Sequence, residues 1–63
     1  MNFTFTVDVP AHSRAVAELL SNDSVYGVLS FENTTDVTQS FTQTIGTPNG
    51  VVIDQVRVII FPL

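Results

Sequence analysis

No cysteine occurs among the 63 residues, so neither a disulfide nor a thiolate metal site can staple the fold. A single histidine, His12, could complete a zinc site only with carboxylates or with a second chain. Lysine is absent as well: Arg14 and Arg57 are the only cations against six carboxylates, for a net charge of −4. Two cations cannot neutralise a phosphate backbone or hold an anionic membrane surface, which argues against nucleic-acid and membrane partners. No stretch approaches the roughly 18 consecutive apolar residues of a membrane span. The amino terminus shows no basic segment followed by an apolar one, so a cytoplasmic location is the default expectation. There is no phosphate-cradling glycine loop and no Ser/His/Asp set that one chain could assemble with its acid, base and nucleophile in reach, so neither a cofactor nor an enzymatic activity is expected.

What is present is apolar side chain in excess of what so short a chain can hide. A domain of this size buries only about 60% of the surface its unfolded form exposes, yet 44% of the residues are hydrophobic. With the usual staples missing, self-association is the expected source of added stability, as a homo-oligomer of two or more copies.

The richest stretch is the last, Val51 to Phe61, introduced by the turn dipeptide Asn49-Gly50. It is β-branched or aromatic at most positions and stops alternating from Val58 to Phe61, so both of its faces require apolar cover. Asn2 to Val9 alternates cleanly, with Phe3, Phe5, Val7 and Val9 on one side, and reads as a half-buried strand ended by Pro10. Ala11 to Ser21 reads as a helix, because Ala15, Val16, Leu19 and Leu20 fall on one helical stripe and Asn22-Asp23 closes it. A strand over Arg14 to Leu20 is the alternative, since short apolar runs satisfy either period. Ser24 to Glu32 and Val37 to Ile45 read as further strands, joined by a hairpin connection over Asn33 to Asp36. If Asn49-Gly50 form a two-residue turn, the fourth and fifth segments pair as a hairpin with Phe41 opposite Val58. The expected fold is a single α+β domain spanning residues 1-63, in the order β-α-β-β-β, with a mostly antiparallel four-stranded sheet and one helix on one face; the alternative is all-β.

His12, Ser13, Arg14 and the nearby Asp8 form the one local group with catalytic residue types. Neighbours on a helix point about 100° apart, so Ser13 and His12 cannot act as nucleophile and base there. A helix start with solvated His12 and Arg14 accounts for them, and an enzyme would need a site between subunits. Asp23, Glu32 and Asp36 are acidic loop residues without the spacing of a calcium loop. Asn2, Asn22 and Asn33 each open an Asn-x-Ser/Thr triplet of the kind expected by chance in this composition. The candidate interface residues are Tyr26, Val28, Ile53, Arg57, Ile59 and Phe61, which share the sheet face left open opposite the helix. The expected function is that of a small self-associating structural or interaction protein, a component of a larger phage- or virus-like assembly; the alternative is a monomeric module or inhibitor that binds another protein.

Overall fold

In the computed structural model, which describes residues 1–63, the chain forms five strands and no helix: β1 (Asn2–Val9), β2 (Ser13–Ser21), β3 (Ser24–Asn33), β4 (Gln39–Gly46) and β5 (Gln55–Pro62). β1 and β4 pair antiparallel as one sheet, and a second antiparallel sheet has the order β3-β2-β5. The fold is therefore all-β, and the helix expected over Ala11 to Ser21 is replaced by β2. This segment satisfies both periods. Its strand reading puts Ser13, Ala15, Ala17 and Leu19 on one side, and all four are buried. Pairing decides between them. As a helix the segment would bury one stripe, whereas as a strand it is hydrogen-bonded along both edges, to β3 and to β5.

The turn after β2 locks that outcome. Asn22 and Asp23 have φ of 51° and 65°, between the paired residues Ser21 and Ser24. Positive φ at both central residues is the geometry of a type I′ hairpin, which matches the right-handed twist of the strands it joins. Asparagine and aspartate tolerate the left-handed region better than other side chains with a Cβ, so the dipeptide that was to end a helix turns a hairpin instead. A bulge at Leu19/Leu20 sits just before it.

The hairpin expected at Asn49-Gly50 does not form. Val51 N–H donates to the Pro48 carbonyl at 3.2 Å, and Gly50 carries φ 88°, so these residues make a type II turn with glycine at its third position. That turn redirects the chain from one sheet to the other. Phe41 consequently lies opposite Val7 of β1, and Val58 lies opposite Ala17 of β2. Asn33 to Asp36 likewise belongs to a connection between sheets and not to a hairpin.

β1 crosses over β2 and β3, and its Val7 and Val9 pack on Ala15 and Ala17. Alanine in the central strand leaves room for the sheets to approach, while large side chains fill the surroundings. Phe5 meets Phe31 edge-on at 6.2 Å, and Phe31 stacks on Phe41 at 5.4 Å. These aromatic contacts draw β1 and β4 toward the β3 side. The inner face of β5 is left thinly covered, with Val58 and Ile60 each 42% exposed.

One polar residue pins the end of this core. Asn33 is fully buried, and its side-chain NH2 donates to the carbonyls of Val9 (2.9 Å), Pro10 (3.2 Å) and Val37 (2.8 Å). Its Oδ1 accepts from the Thr35 N–H (2.9 Å) and the Thr35 hydroxyl (2.6 Å). The end of β1, the end of β3 and the link into β4 thus meet on a single amide.

Two substitutions test this account by urea denaturation at fixed protein concentration. Asp23→Val, which forces a β-branched residue into the left-handed region, lowers stability by roughly 1–2 kcal/mol, and Asp23→Gly does not lower it. Asn33→Asp keeps the shape but turns a donor into an acceptor facing three carbonyls, and costs at least about 3 kcal/mol.

Candidate interaction surface

Opposed residues of an antiparallel pair share a face, so the registers define both sides of the three-stranded sheet. Toward β1 and β4 lie the rows Phe31-Ala15-Ile60, Leu29-Ala17-Val58 and Gly27-Leu19-Val56. The outer rows are Glu32-Arg14-Phe61, Ser30-Val16-Ile59 and Val28-Glu18-Arg57. Both arginines lie on the outer face. Arg57 Nε donates to Glu18 Oε1 at 2.7 Å, and the Arg14 guanidinium lies 5.6 Å from the centre of the Phe61 ring. The hydrogen bond to Glu18, then the charge of Glu18, raises the Arg57 pKa above its ordinary value, so this residue stays cationic.

Of the candidate interface residues, Val28, Arg57, Ile59 and Phe61 do share this outer face. Tyr26 stands at the bulge beside it and is 43% exposed. Ile53 is elsewhere: it is buried in the segment between β4 and β5.

β5 stands out on both sides. Val58 and Ile60 on the inner face and Ile59 and Phe61 on the outer one are all 40–42% exposed, four consecutive large apolar side chains on a strand paired along one edge only. The direction of its backbone groups follows from its end. Leu63 N–H donates to the His12 carbonyl, directly across from it in register, so by alternation Arg57, Ile59 and Phe61 turn their amides toward β2. Val56, Val58 and Ile60 then turn theirs outward, and Pro62, which has no N–H, falls on the outward set as well.

The polar groups of the other surfaces pair among themselves, although Val25, Val28, Val37 and Val52 are exposed singly. On the outer face of the β1–β4 sheet Thr4 and Thr44 share a hydrogen bond of 2.8 Å, Thr6 and Thr42 one of 2.9 Å, and Ser40 donates to Asp8. β3 presents its free edge with a bulge and outward Ser30 and Glu32, two of the devices that blunt strand edges.

The residue types with catalytic potential separate. His12, at φ 53° in the corner between β1 and β2, bonds Asp36 at 2.6 Å, while the Ser13 hydroxyl donates to the Ala11 carbonyl at 3.1 Å. Arg14 points to the opposite side of β2 from Ser13, over Phe61. Asp23 lies at the far end of β3 from Glu32, about 30 Å away along the strand. The chain encloses no cavity and groups no three metal-ligating side chains. No helix is long and apolar enough to cross a membrane. Set against protein-family models, curated proteins and solved structures, the chain matches none of them.

The alternation along β5 is checked by hydrogen exchange at a dilution that holds the protein as single chains. The amides of Ile59 and Phe61 exchange slowly and those of Val58 and Ile60 fast; equal rates along the strand would refute the assignment of its free edge.

Proposed function

We propose that this protein is a small self-associating structural protein, a building block that completes its own core by packing against further copies. The observation that carries this reading is β5: Val58 to Phe61 expose apolar surface on both faces beside a row of unpaired backbone groups. The total accessible surface of 4030 Å² is close to the about 4,000 Å² of an ordinary compact chain of this mass. The anomaly is therefore in the chemistry of the surface and not in its extent. Natural sheets protect such an edge with lysine, proline or inward charge; none of these occurs from Val58 to Phe61, and Arg57 and Pro62 only flank the run. The two-faced edge also suits capture of an extended segment from a different protein, which is the second reading.

Sedimentation velocity from about 1 to several hundred micromolar separates the readings. The first expects a mass that is a multiple of 6.9 kDa by tens of micromolar, with a thermal midpoint that rises with concentration. Ile59→Glu combined with Phe61→Glu returns the protein to 6.9 kDa without loss of its far-ultraviolet strand signal. A single chain at every concentration would overturn self-association; a hydrodynamic size untouched by the double substitution would place the contact elsewhere.

A further inference from the structure

We infer that the copy which covers β5 is held by β5 itself, paired antiparallel across a twofold axis that passes beside Ile59. This rests on the self-association proposed above and specifies its geometry. The resulting sheet runs β3-β2-β5 and then β5-β2-β3 of the second copy, with the two innermost strands hydrogen-bonded through Val58 and Ile60.

Symmetry restricts the register first. A twofold axis that joins two antiparallel edges stands perpendicular to the sheet and preserves its faces, so a residue must lie opposite one of its own face. The axis can therefore pass beside Val58, Ile59 or Ile60, but not between them. With Ile60 on the axis the overlap is the shortest of the three, and Pro62, which has no N–H, falls opposite Val58 beside the centre of the contact. Val58 on the axis sets Phe61 against Gln55 and Arg57 against Ile59. Ile59 on the axis sets like with like: Val58 opposes Ile60 as mutually bonded pairs, with the outward amides and carbonyls of both residues satisfied, and Pro62 falls opposite Val56 at the ends of the overlap, where that carbonyl is left to solvent.

The side-chain rows then join across the axis. On the outer face Ser30-Val16-Ile59 continues into Ile59-Val16-Ser30 of the second copy, one aliphatic stripe with polar ends. The row Val28-Glu18-Arg57 continues into Phe61-Arg14-Glu32 of the second copy. Phe61 is then flanked by its own Arg14, already over its ring at 5.6 Å, and by Arg57 of the other chain, which keeps its bond to Glu18. Each cation has a carboxylate and an aromatic neighbour, and no like charges stand opposite. On the inner face Ala15-Ile60 meets Val58-Ala17, covering the two side chains that β1 and β4 leave bare. Charge complementarity and apolar continuity on both faces at one register are what select a second copy of this chain over an unrelated strand.

The absence of cysteine makes the test direct. At a pair of this kind that exchanges no backbone hydrogen bonds, Cα atoms are about 4.5 Å apart, within disulfide reach, whereas Val58 and its own symmetry mate are offset by two residues, beyond about 7 Å. Mild oxidation of Ile59→Cys at associating concentrations is expected to give a covalent dimer, Val58→Cys alone none, and a mixture of Val58→Cys with Ile60→Cys a mixed dimer. Crosslinking of Val58→Cys in place of Ile59→Cys overturns the register. No crosslink in any variant while sedimentation still shows association overturns β5 as the contact but leaves self-association standing, and a single chain throughout overturns both. A circular-dichroism spectrum like that of the parent shows that each variant still folds, and protection of the Val58 and Ile60 amides on association is required independently of any cysteine.

Discussion

The two-sided hydrogen bonding of β2 is the constraint on which the rest of the molecule depends. It is the only strand with a partner along each edge, and its buried face consists of Ser13, Ala15, Ala17 and Leu19. Small side chains at the middle of that face allow β1 to lie close above it, so that Val7 and Val9 are sealed by a surface offering little more than methyl groups. Larger residues at Ala15 or Ala17 would lift β1 off the sheet and open the contact between Phe5 and Phe31. The turn Asn22-Asp23 on one side and the crossing segment through Ile53 on the other then bring β3 and β5 to the two edges of β2.

That arrangement also explains where the fold runs out of material. Two strands are stacked on three, and aromatic packing between Phe31, Phe5 and Phe41 draws the smaller sheet toward β3. A further strand over β5 would finish the sandwich, and the five strands of residues 1–63 are already placed. The shortage of residues anticipated from the length is most concentrated on β5, where four large apolar residues in a row stay exposed; Val25, Tyr26, Val28, Val37 and Val52 are exposed elsewhere, without forming so long a run. On the outer face of the smaller sheet the exposed threonines of β1 and β4 pair among themselves.

How far this was legible in the residues follows from what sets each element. β1 could be read to its ends, because an alternating octapeptide stopped by proline admits one interpretation. β2 could not, because alanine and leucine at positions 15 to 20 fit both periods and the deciding factor was the presence of strands on both sides. Asn49-Gly50 carried the strongest hairpin signal, yet Asn22-Asp23 makes the two-residue hairpin: a turn dipeptide reports local φ, whereas strand pairing is fixed by which faces can be buried. The apolar excess of Val58 to Phe61 was visible from its broken alternation. The burial of Ile53 and the role of Asn33 were not, since both come from contacts between segments far apart in sequence.

The exposed run on β5 also bears on how the chain avoids indiscriminate association. Four consecutive apolar residues on a free edge would template any extended strand if nothing limited the match. Here the limit is chemical. Arg57 sits near one end of the run, tied to Glu18, Phe61 at the other end lies under Arg14, and Pro62 follows without an N–H. A passing apolar strand of the wrong register would have to set an aliphatic side chain against the guanidinium or leave the Phe61 ring without a second cation. A strand that brings an aromatic to the arginine and an arginine to the aromatic satisfies both ends, and β5 read backwards is such a strand. Specificity therefore arises from the two ends of the run, while its middle supplies the apolar area that makes association favourable.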